Sequence, residues 1–261
     1  MVITLEPQKV PVKLVNPIDH RLLFVIFAVV ITFQVYIYSL QDEAESDFTV
    51  AMASFVFPLA SAVAGFVVAK RYWHSEVFGK AYLALAIGLL MNFFGEISYY
   101  AYDSAGLNPI PSIADVFFLA FYPLTFYHLY KNIRFFKAKV NIVTKILIII
   151  IPVSITGAYS VLSVEKIGST DFDFLYGLSY VVGSSIAFSA AILGATIFKQ
   201  GVLGTAWLVL TIGIALTTFG DNWYSYLETY DQYSLQHPVN LLWYGGYMVI
   251  TYALYKHRDT I

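Results

Sequence analysis

The chain of 261 residues is 59% hydrophobic and 12% charged, with a mean hydropathy of +0.69 and a net charge of −2. A soluble domain carries roughly 25% charged residues, and a phosphate-backbone binder needs a basic face, so the composition indicates a membrane protein and excludes nucleic acid as a partner. The absence of cysteine excludes disulfides, thiolate metal sites and a cysteine nucleophile.

Residues 1–20 are polar and carry Pro7, Pro11 and Pro17. No cleavable signal peptide is expected: the first apolar run, Leu22 to Leu40, is long enough to span and lacks an Ala-x-Ala-like end. A spanning helix needs roughly 20 apolar residues. Eight segments qualify, at 21–40, 50–69, 79–101, 113–131, 144–163, 174–198, 202–224 and 239–256. The short connections leave room for one membrane domain over 1–261 and no other. With the N-terminus cytoplasmic, 14 of the 15 basic residues fall on the cytoplasmic side, Lys9, Lys13, Lys137 and Lys139 among them; only Lys166 lies outside. The positive-inside rule therefore predicts a multi-pass protein of the cell membrane with both termini cytoplasmic. The acids Asp42, Glu43, Asp103, Asp171, Glu228 and Asp231 collect on the outer side.

The chain resembles itself at an offset of 125 residues. Val77 to Gly88 lies over Val202 to Gly213 with seven identities in twelve, and 77–132 over 202–257 gives 15 in 56. Composition alone would give about 4 or 5. Two four-helix repeats, 20–132 and 145–257, are predicted. An even helix number inserts both copies with the same polarity, and repeat interfaces often hold functional sites in membrane proteins.

The offset superposes Glu96 on Asp221, each next to a glycine and each on the order of 10 Å from the bilayer centre at 1.5 Å per residue. A carboxylate at that depth usually faces the bundle interior or a water-filled cavity, often with a partner. Asn92, Tyr99 and Tyr100 share a helix face with Glu96; Thr217, Tyr224 and Ser225 do so with Asp221. The expectation is a shared polar site of Glu96, Asp221, Asn92, Tyr99 and Tyr224 that binds a cation, carries a proton or acts as acid and base. Ser112 and Asp115 have capping-box spacing at the start of the fourth helix, while His237 takes the cap place before Pro238 in the eighth. Asp115 and His237 belong to the candidate set as ligands at the outer mouth. Their oxygen and imidazole donors suit zinc or manganese, but no metal-site spacing accompanies them and no cofactor is assigned. His128 is expected to pack, and His20, His74 and His257 to be solvated beside basic segments. Phosphate-loop and nucleophile-elbow motifs are absent.

Gly95-Glu96-Ile-Ser-Tyr-Tyr, followed by Pro111-Ser-Ile-Ala-Asp-Val-Phe-Phe-Leu-Ala-Phe-Tyr-Pro123, resembles the N-terminal multi-helix membrane regions of bacterial diguanylate cyclase and phosphodiesterase proteins. That resemblance implies a sensor-like module. The chain ends at Ile261, directly after the last helix, so signalling would require a separate membrane or cytoplasmic partner. The Gly95-Glu96 and Gly220-Asp221 pairs are also similar to acids of the eight-helix lysoplasmalogenase-type hydrolases. This second likeness implies catalysis on a lipid headgroup by those two acids. Three functions follow as expectations: a module that binds a lipidic or small-molecule ligand or serves a larger membrane complex; an intramembrane lipid hydrolase; a cation- or proton-coupled transporter.

Overall fold

The computed structural model describes residues 18–136, 140–168, 170–199 and 204–260. Pro7, Pro11, Pro17, Lys9, Lys13, Lys137, Lys139 and Val202 lie outside them. Eight α-helices follow one another: α1 (His20–Ser39), α2 (Glu43–Arg71), α3 (Phe78–Ser104), α4 (Ile113–Phe136), α5 (Ile142–Ile167), α6 (Phe172–Phe198), α7 (Gly204–Thr229) and α8 (Asn240–Thr260). There is no strand among the described residues. Side-chain oxygens at the helix starts take up orphan amides. Asp19 accepts from the Arg21 and Leu22 N–H groups, Asp42 from Ala44, Asn141 from Thr144 and Asp171 from Phe174. Gly168, at φ 76°, closes α5 in the left-handed conformation that glycine adopts without strain.

Seven of the eight helices, α1 to α7, are long and apolar enough to cross a membrane. The segment expected at 239–256 is the exception. It folds as a helix, but Asn240, Trp243, its tyrosines and Lys256 leave it less apolar than the others. The reason is its place in the bundle. α8 packs on α1, α2 and α7, and Tyr247, Val249, Ile250, Ala253 and Leu254 are buried. A helix ringed by protein does not need a lipid-compatible circumference. α1 and α5 are the opposite case: Phe24, Ile31 and Val35, and Ile142, Ile149 and Val161, are each more than half exposed, a surface suited to lipid rather than water.

The short connections force neighbouring helices to run antiparallel. α3 packs on α2 and α4, and α7 on α6 and α8; the two halves meet where α2 packs on α8 and α4 on α6. Buried hydroxyls join them. At the α2–α8 crossing Ser61 Oγ donates to the Tyr247 carbonyl at 2.9 Å and meets Thr251 Oγ1 at 3.0 Å.

The described basic residues other than Lys166 lie at one end of the bundle, around the α2–α3, α4–α5 and α6–α7 connections, the start of α1 and the end of α8. His20 and His74 are exposed there, as expected. His257 is not: it is fully buried, and its Nδ1 meets the Tyr82 hydroxyl at 2.5 Å. α8 runs on past the basic residues, and position 257 continues the inward stripe of 250, 253 and 254. His128, also buried, stands near Tyr82 and Trp207 in the same cluster and bonds the Ala81 carbonyl through Nδ1 at 3.0 Å.

Candidate functional site

At the opposite end, α2 to α8 line a cavity of about 420 Å³. Glu96, Asn92 and Tyr99 of α3, Asp115 of α4, and Asp221 and Tyr224 of α7 all line it. Six of the seven candidate residues therefore share one space, although they come from three helices. His237 does not line the cavity. Its ring lies edge-on to Trp223 at 5.3 Å, and its Nδ1 accepts the Val239 N–H at 3.1 Å, so it serves the start of α8. Partial burial pushes the imidazole below its usual pKa, which favours the neutral ring that such a cap requires. Among the described residues no three acid or histidine side chains are grouped to hold a metal ion, so the alternative of Asp115 and His237 joining Glu96 and Asp221 as ligands has no geometry behind it.

The partners of the acids differ from those that helical spacing suggests. Asp221 is not satisfied from its own helix. Tyr122 of α4 donates to Oδ2 at 2.9 Å, and the Trp243 indole of α8 donates to Oδ1 at 2.9 Å. Ser225, four residues on, instead donates to the Asp221 backbone carbonyl at 2.8 Å, the usual fate of a serine hydroxyl inside a helix. Asp115 is held more heavily. The Ser112 N–H donates to its Oδ2 at 2.6 Å while Ser112 Oγ accepts from Ala114, the reciprocal arrangement of a capping box. Tyr176 and Tyr180 of α6 both donate to Oδ1, Tyr180 at 2.6 Å. Asp115 thus ties α4 to α6. Glu96 has no hydrogen-bond donor among the described residues; it is partly exposed, onto the cavity.

Two glycines position the aromatic wall. A Cβ on Gly95 would meet the Phe118 ring at 2.5 Å, and one on Gly220 would meet the Trp243 indole nitrogen at 2.7 Å. The missing side chain beside each acid lets a ring from the next helix lie against the backbone. The aromatic lining was only partly legible in the sequence. Tyr122 and Tyr247 stand out as a matched pair under the 125-residue offset, whereas nothing local marks Tyr176, Tyr180, Tyr233 or Trp243. Asp173, Glu228 and Asp231 also line the cavity and are exposed at its mouth. A comparison with known proteins finds no family model, curated protein or solved structure that matches the chain.

Proposed function

We propose that the chain is a multi-pass protein of the cell membrane, with cytoplasmic termini, whose two four-helix repeats bind a ligand in the cavity between them. The observation that carries this reading is the pairing of the cavity wall. Glu96 and Asp221, Tyr99 and Tyr224, Asp115 and Asn240, and Phe118 and Trp243 are each 125 residues apart, and all eight line the same space. The helix contacts support it too: the offset converts the α2–α8 packing into that of α6 and α4, which is also present. The cavity opens at the end remote from the basic residues, the outer face under the positive-inside rule. A ligand-binding module presenting its site outward fits the sensor-like resemblance of the 95–123 region.

Native mass spectrometry of protein extracted gently from its own membranes, with metal analysis of the same sample, tests the reading. The expected result is a stoichiometric small molecule that is lost when Glu96→Gln and Asp221→Asn are combined. A preparation that carries a protein partner and no ligand would make the chain an assembly subunit. Lipid hydrolysis abolished by Glu96→Gln would make it an enzyme, and pH-dependent flux in liposomes lost in Asp221→Asn would make it a transporter.

A further inference from the structure

We propose that the ligand is an organic cation, an ammonium or quaternary ammonium group with no anionic group attached close by; this rests on the cavity being the ligand site. The lining is one-sided in charge. Six carboxylates and nine tyrosines face the space, with no lysine, arginine or histidine among them. An anion would meet six carboxyl groups and no basic side chain to offset them. A neutral ligand would leave Glu96 without a charge partner.

The aromatic groups supply the second half of the argument. Tyr122, Tyr180 and Tyr176 form one edge-to-face run, with centroids 6.3 and 5.4 Å apart. Tyr233, Tyr224 and Trp243 form a second run, edge-to-face at 4.8 Å and tilted at 5.5 Å. Ring faces attract a cation through their quadrupoles, most strongly where water is excluded, and ammonium ligands are recognised in this way. A volume of about 420 Å³ lies within the range of small-molecule sites and exceeds what a bare metal ion needs.

Glu96 is the anchor, for a reason visible at the offset positions. Asp221 receives the Trp243 indole N–H, but the residue equivalent to Trp243 beside Glu96 is Phe118, which has none to give. Asp221 receives the Tyr122 hydroxyl, but the equivalent Tyr247 hydroxyl gives no hydrogen bond to Glu96 among the described residues. The same scaffold therefore leaves one acid satisfied by protein and the other open to the cavity. The exposed Asp173, Glu228 and Asp231 at the mouth would raise the local concentration of a cation before entry. A zwitterionic phospholipid headgroup carries the same ammonium, but its phosphate would find no basic partner here.

The test is titration of the full chain in maltoside micelles, followed by calorimetry, with tetraethylammonium, choline, phosphocholine, and 3,3-dimethylbutanol as the uncharged counterpart of choline. Choline or tetraethylammonium is expected to bind at least about tenfold more tightly than dimethylbutanol, the factor a single desolvated cation–ring contact is able to supply. Phosphocholine should bind more weakly than choline. Glu96→Gln should weaken cation binding at least about tenfold while the thermal unfolding temperature stays within a few degrees. Tyr99→Leu, made beside it, tests the aromatic wall without touching a carboxylate. Equal binding of dimethylbutanol, tighter binding of phosphocholine, or wild-type affinity in Glu96→Gln would overturn the cation assignment. A neutral or anionic molecule retained in native mass spectra would do so too, while leaving the cavity as the ligand site. If neither cations nor any native ligand bind, both proposals fall together.

Discussion

At the residue scale, a polar side chain in the bundle is defined by what reaches it from another helix. Asp221, on α7, depends on Tyr122 of α4 and Trp243 of α8, distant in sequence but at hydrogen-bond distance in space. Tyr122→Phe removes one of the two donors and should destabilise the protein by about 1.5–3 kcal/mol, the range for a hydrogen bond to a charged group. Tyr38→Phe, at a largely exposed tyrosine, should change the thermal unfolding temperature in micelles by almost nothing, and equal losses in the two variants would contradict the assignment. His237 gives a pH dependence. Its neutral Nδ1 accepts the Val239 N–H, and partial burial lowers its pKa in the folded state. A base with a depressed folded pKa binds more protons when unfolded, so its contribution is present above the unfolded pKa and is lost as pH falls. The wild type should therefore lose stability on acidification relative to His237→Asn, which keeps a capping acceptor that does not titrate. Parallel stability curves for the two proteins between neutral pH and pH 5 would remove the cap.

Helices here approach each other where a side chain is missing, so at the element scale glycines of one type have opposite consequences. Gly220 has the Trp243 ring where its Cβ would stand, whereas Gly157, on α5, has nothing within 4 Å. Gly220→Ala should cost about 1–3 kcal/mol through overpacking and should shift the indole away from Asp221. Gly157→Ala should stabilise by up to about 1 kcal/mol, since alanine is the better helix former. Differential scanning of both variants in the same micelle decides this; similar values would mean that the α7–α8 contact tolerates the extra methyl. α8 carries the related lesson. Its moderate polarity follows from its being enclosed by α1, α2 and α7, and its inward stripe continues to His257.

For the molecule as a whole, the charge distribution and the apolar exterior set the proposed placement in the bilayer. Ile149, on α5, is 65% exposed. Ile149→Asp would present a carboxylate to hydrocarbon and should cost about 3 kcal/mol of insertion free energy near the centre of a span. A glycosylation-site insertion assay on α5 reads that cost directly, and unchanged insertion would show that this face is not against lipid. Under the proposed eight-crossing placement, reporters fused to either end should both be cytoplasmic; reporters on opposite sides would overturn it.

The sequence by itself made seven of the helices legible as apolar runs of spanning length, which in lipid leave the backbone no alternative to a helix; the eighth is helical but less apolar, and the end that carries the basic charge was also legible. It also brought Glu96, Asp221, Asn92, Tyr99, Tyr224 and Asp115 together on paper, since each lies on a helix at matched depth or at a helix start. The tertiary structure alone decided their partners. Helical spacing names neighbours on one helix, but Tyr122, Trp243, Tyr176 and Tyr180 arrive from other helices whose rotation no local pattern fixes. The same holds for His257: proximity to basic residues suggested solvent, and the direction of a single helix face placed it in the core. That Glu96 is left without a donor among the described residues while Asp221 has two follows from packing between helices, which depends on every side chain at the contact and not on any one segment.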